Sequence, residues 1–149
     1  MAYATTTEVQ AKIPEFVIGA STKPSTSEVT NFISQIDGRI NGVLSAQGYE
    51  TIPATGSNDL AMLEGLVSHK VAAMVLLIAY PGDTVPDKVK LWTEQFDTFL
   101  RDLRKGDTFL IDQQPMGDQA PLFAVIRHPT RDDTFTERYD ESDWDEDGL

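Results

Sequence analysis

The stretch "DWDEDG", Asp143 to Gly148, has the acid spacing that opens a calcium-binding EF-hand loop. Carboxylates alternate along the chain and a glycine follows for the sharp turn. The bidentate glutamate at loop position twelve does not follow and no initiating helix pattern precedes, so a solvated acidic stretch is the plainer reading. No metal ligand set is assigned. Only His69 and His128 carry imidazoles, which leaves little for a nucleophilic triad or a histidine metal centre. His69 falls inside a helical pattern and reads as a helix-surface or interface residue. Carboxylate couples such as Asp97 with Asp102, or Asp132 with Asp133, are common in an acidic chain and carry no weight as an acid/base pair without a pocket to place them. A chain without cysteine has neither disulfides nor thiolate sites, and no glycine-rich phosphate loop occurs. The expectation is a protein that is not an enzyme and takes no cofactor.

Aromatic residues interleaved with acids near the C-terminus carry a different chemistry. Phe135, Tyr139 and Trp144 sit among nine acids and two arginines between Pro129 and Leu149. Aromatic anchors ringed by charge suit docking into a partner's groove, whereas a purely solvating tail gains nothing from exposing them. Both readings of this tail stay open. The whole chain carries a net charge of −12, which argues against grasping nucleic acid, since phosphate neutralisation needs a basic face.

These residues need a scaffold, and 149 residues with 40% apolar content suffice for one core. The first helix is short: Thr5, Thr6 or Thr7 can cap it, Val9 and Ile13 point one way, and Pro14 ends it. Ser25 and Glu28 have the spacing of a capping box and open a second helix. Its apolar residues Val29, Phe32, Ile33, Ile36, Ile40, Val43 and Leu44 recur at steps of three and four, and Gly48 stops it with Tyr49 folding back. Ser57, Asn58 or Asp59 can cap a third helix running to about Tyr80, apolar almost all round after Lys70 and so expected in the middle of a bundle. A fourth helix, with Val89, Trp92, Phe96, Phe99, Leu100 and Leu103 as its stripe, ends at Gly106, and Asp97 can pair with Arg101 on its wet side. Beyond it the period disappears. "TFLID" and "LFAVIRH" are strand candidates within a segment that otherwise reads as an arm.

The fold expectation is therefore all-α: a small bundle of three main helices plus a short N-terminal helix over residues 1–107, then an extended C-terminal arm with an acidic tail over 108–149. The N-terminus lacks the pattern of a secretory signal. The longest apolar run, Val71 to Tyr80, is ten residues, well short of the roughly 20 that span a bilayer, so the expectation is a soluble chain with no membrane partner.

The second helix carries two interior glycines, each costing about 1 kcal/mol relative to alanine. With Val29 at zero on a helical wheel, the stripe falls within about 60°, while Gly38 and Gly42 lie near 180° and 220°. Asn31 and Ser45 share that opposite side. Simple tolerance by a long helix is one reading. The other is a subunit seam, where a second backbone approaches across Asn31, Gly38, Gly42 and Ser45.

Order and spacing of these segments also carry a resemblance. "YATTTEVQAKIP" at Tyr3 to Pro14, "PSTSEVTNFISQIDGRINGVLSAQGY" at Pro24 to Tyr49, an apolar helix, and a closing helix ending in "LRKGD" resemble the head-tail connector (adaptor, or head-completion) proteins of long-tailed bacteriophages, over about residues 3–107. In many members an aspartate stands where this chain has Asn41. The resemblance implies a structural virion protein, made in the host bacterial cytoplasm and placed in the neck between capsid and tail. There it forms a homo-oligomeric ring beneath the portal protein, contacts neighbouring adaptor subunits, and docks the tail or a stopper protein. Packaged DNA passes through the lumen without sequence-specific binding, and an acidic lumen would let it slide. Under this reading Phe135, Tyr139 and Trp144 anchor the arm on the portal or an adjoining subunit. Two alternatives remain: an acidic DNA mimic that inhibits a nucleic-acid-binding enzyme, and another neck component such as a stopper or tail-completion protein.

Overall fold

The computed structural model describes residues 1–82, 86–113 and 115. Four helices follow one another: α1 (Thr6–Lys12), α2 (Thr26–Ala46), α3 (Ser57–Ala79) and α4 (Asp87–Lys105). Among the described residues there is no strand. The architecture is the all-α bundle that the apolar stripes dictate.

Local signals set the helix ends. Thr5 and Ser25 each accept from the backbone N–H three residues on, and Glu8 and Glu28 return a carboxylate to the cap's own N–H. Both first helices thus open with a full capping box, which satisfies two otherwise orphaned donors. Gly48 takes φ 76°, allowing Tyr49 N–H to reach back to Leu44 O at 3.1 Å. Gly106, at φ 75°, ends α4 in the same way, with Asp107 N–H donating to Asp102 O at 2.9 Å. Only a residue without Cβ takes these left-handed conformations without strain.

The core gathers one face of each helix. Val9 and Ile13, then Val29, Ile33, Ile36, Ile40, Val43 and Leu44, meet Leu63, Val67, Val71 and Val75 of α3 and Val89, Phe96, Leu100 and Leu103 of α4. Each such burial is worth roughly 1.5 to 3 kcal/mol, so these stripes hold the fold. Phe32, Trp92 and Phe99 of the expected stripes are only partly buried, lying at its margins.

α3 packs on α1, α2 and α4, as its apolar circumference requires. Taken whole, it is long and apolar enough to cross a bilayer by length and composition, a property that the ten-residue run alone understates. Its last turn departs from the expected central position: Leu77 and Ile78 are exposed, as is Tyr80 beyond them. The expected Asp97–Arg101 pair is not made either. Lys70 reaches from α3 to Asp97 at 3.3 Å and lies over the Phe96 ring, while Arg101 turns to Asp102 at 3.1 Å. A nearly buried ammonium gains more from a carboxylate than an exposed guanidinium does, so the interhelical pair wins.

α3 also begins differently from expectation. Its N-cap is Gly56, which has no side chain to offer, and neither Ser57, Asn58 nor Asp59 caps it. The cap comes instead from Asp112. Its Oδ2 accepts from Asn58 N–H at 2.8 Å and Asp59 N–H at 3.4 Å, and its Oδ1 accepts from the Asn58 amide at 2.8 Å. "TFLID", assigned by sequence to the arm and a strand candidate, is thus an irregular strap folded back over the start of α3, with Leu110 buried beneath it. "LFAVIRH" and, apart from Gln113 and Pro115, the remainder of the arm lie outside the described residues.

Candidate functional site

α2 is a helix with four distinct faces. Its stripe points inward, and the side opposite carries Asn31, Gly38, Gly42 and Ser45, all exposed. A Cβ built on Gly38 or Gly42 would meet nothing within 4 Å, and the same holds for Gly65 of α3. Among the described residues, neither α2 glycine therefore admits a neighbouring segment of this chain. The sequence-based seam residues do share one open surface, as the helical period requires.

The other two faces flank the stripe at about 80° on either side. On one side lies Asp37, which is only 5% exposed. Its Oδ2 accepts from Tyr3 N–H at 3.2 Å, and Oδ1 has no hydrogen-bond partner among the described residues. Tyr3 continues the link: its hydroxyl donates to Asn41 Oδ1 at 2.5 Å and accepts from Ala54 N–H at 3.0 Å. The N-terminal segment and the α2–α3 loop are thereby tied to one turn of α2. Burial pushes the Asp37 carboxyl above its ordinary range, only partly offset by the Tyr3 N–H and the N-terminal ammonium.

This sets a sign. A carboxyl raised in the folded state holds its proton longer there than in the unfolded chain, so its contribution to stability declines as pH rises above about 4. Asp112, Glu15 and Glu28 are lowered, chiefly by hydrogen bonds from Asn58, Lys88 and Ser25 respectively, and act in the opposite direction. Asp37→Asn should be at least as stable as the parent at neutral pH and should gain on it as pH rises from about 4 to about 7 in urea unfolding. A constant difference across that window would remove the carboxyl from consideration.

On the other flank, Arg39 faces α4 across a groove of about 580 Å³ lined also by Asp97, Leu100, Arg101, Arg104 and Lys105. Four cations line one surface of a chain whose net charge is −12.

His69 does not approach any of these places. It is stacked on Trp92 at 5.0 Å with the rings nearly parallel, and burial, with Lys12 nearby, depresses its pKa. The ring is a neutral interface residue between α3 and α4 at neutral pH. Among the described residues no group of three or more histidine or acidic side chains is placed to hold a metal ion. Phe135, Tyr139, Trp144, His128 and the "DWDEDG" stretch lie outside the described residues.

Sequence reasoning missed Tyr3, Arg39, Asp37 and Asp112, and offered Asp59 as a helix cap where it instead holds the Ile111 and Asp112 amides. Asp37 had a signal, one step beyond the edge of the stripe, whereas the groove needs knowledge of which flank α4 covers. Compared with protein-family models, curated proteins and solved structures, the chain matches none of them.

Proposed function

We propose that this chain is a head-tail adaptor: a structural protein of a bacteriophage neck that forms a ring beneath the portal, extends the DNA channel and docks the tail or stopper. The resemblance over residues 3–107 motivates the reading. The observation that carries it is the outward face of α2. Two helix-weakening glycines there serve no close approach among the described residues, so the surface they open is available to a second copy. The exposed Leu77, Ile78 and Tyr80 at the end of α3 add a separate apolar surface of the kind an assembling subunit covers. In the assembly Phe135, Tyr139 and Trp144 anchor the C-terminal segment on the portal or on an adjoining subunit. Chemistry is not part of this role, and neither a cofactor nor a membrane takes part.

The test is direct. Purified chain added to portal-bearing, DNA-filled heads of the phage that encodes it should appear by cryo-electron microscopy as a ring under the portal. Heads that remain bare overturn the reading. Removing residues 134–149 should leave the helical circular dichroism intact while abolishing docking; normal docking by the shortened chain would exclude the aromatic anchors.

A further inference from the structure

The α2–α4 groove has no part in the reading above, yet its charge needs an explanation. Arg104 and Lys105 occupy the last turn of α4, where cations complement the helix dipole. Arg101 lies a turn earlier and Arg39 belongs to another helix, so the dipole accounts for neither. Residues 1–115 contain nine lysines and arginines, and four of them line this one groove. Asp97, the groove's single acid, is already engaged by Lys70. Arg101 is answered on one side by Asp102, but Arg39, Arg104 and Lys105 have no carboxylate partner among the described residues, and cations gathered this way repel one another unless an anion lies among them. Beneath them Leu100, 8% exposed, offers an apolar floor.

We propose that in the free chain, before Trp144 meets a portal or a neighbouring subunit, this groove is the docking surface for the chain's own acidic C-terminal segment, Asp140–Asp147. That segment, "DESDWDED", places six carboxylates and one indole in eight residues. Carboxylates match the guanidinium groups of Arg39, Arg101 and Arg104, which accept them in paired hydrogen bonds. Trp144 supplies what the acids lack, a flat apolar surface for Leu100 and a face on which an arginine stacks.

Covalent geometry permits it. Asp140 is twenty-five residues beyond Pro115. At up to roughly 3.3 Å per residue, such a stretch reaches well beyond the roughly 30 Å length of a 20-residue helix. Tethering also raises the local concentration of the segment to roughly millimolar. A free polyanion such as DNA must compete with that while being repelled by the net charge of the whole chain. The occupant with both charge and attachment in its favour is the chain's own tail.

The absence of cysteine makes the test clean. A spin label on Ser142→Cys of the full chain should broaden the backbone amides of Arg39 and of residues 97–105 in about 0.01 M salt, where the screening length is about 30 Å, and release them near 1 M, where it is about 3 Å. Arg101→Glu with Arg104→Glu should abolish the broadening in a chain whose spectrum otherwise stays dispersed. Adding Asp143→Lys and Asp145→Lys to that variant should restore it, because the charges are then exchanged. In a mixture of labelled unenriched chain with unlabelled isotope-enriched chain, the effect should vanish. Broadening that is missing at low salt, indifferent to the charge reversals or present only between molecules overturns the proposal. So does a groove whose amides shift with duplex DNA and ignore the label. None of these readings depends on ring formation.

Discussion

Replacing Asp59 with alanine should destabilise the bundle by about 3 kcal/mol, a large share of the roughly 5 to 15 kcal/mol typical of a domain. Asp59 is fully buried. Its Oδ1 accepts from Ile111 N–H at 2.5 Å, and both of its oxygens lie 3.2 Å from Asp112 N–H. Alanine leaves two strap amides without a partner and a hole where the carboxylate stood. The consequence extends to α3 itself. Once the strap lifts, Asp112 no longer caps Asn58 and Asp59, so these two N–H groups at the start of α3 lose their acceptor. Urea unfolding followed by circular dichroism measures the loss, and hydrogen exchange at Leu110 and Ile111 should accelerate well before the rest of the core. Asp112→Ala should be weaker but coupled: the double variant should be much less destabilised than the sum of the two singles. Additive losses would mean that the two carboxylates act separately.

The same device has a steric side. A Cβ on Gly56 would run into Asp112 Cβ, Cγ and Oδ2, so Gly56→Ala should expel the strap although both Asp59 and Asp112 remain in the sequence.

For Gly42→Leu the expected result is a chain that folds better and assembles not at all. A side chain there enters open space, and leucine is a better helix former than glycine by about 0.8 kcal/mol, so thermal unfolding should rise slightly. On the proposed seam the same side chain blocks the approach of a second backbone. Cosedimentation with portal-bearing heads should fall to background, with Gly42→Ala intermediate. Wild-type cosedimentation of the leucine variant would show that the seam lies elsewhere.

Much of the bundle was legible because its signals are local. The Ser25 and Glu28 box, Gly48 and Gly106 each act within a few residues, and the stripes of α2 and α4 follow one helical period. Where a partner came from elsewhere, the local rule failed. Ser57, Asn58 and Asp59 have the composition of a helix cap, yet the capping carboxylate lies about fifty residues downstream. Asp97 and Arg101 have ideal spacing on α4, but Lys70 arrives from α3 and takes the acid. Residues 108–112 lack periodicity because they form no regular element, which made a docked strap look like the start of a free arm. The small-residue side of α2 was legible for the opposite reason: nothing among the described residues covers it.

The strap also decides where a pull on the C-terminal segment would be felt. Oriented so that its nitrogen donates to Thr51 O at 3.0 Å and its oxygen accepts from Thr55 N–H at 2.9 Å, Gln113 stands just after the Asp59–Asp112 clamp and is tied to the loop before α3. Tension entering past Pro115 therefore meets the start of α3 before it reaches the end of α4. In mechanical terms the clamp is a shackle: it passes load from the tail into the helix that touches every other, and spares α4 from being peeled away from its free end.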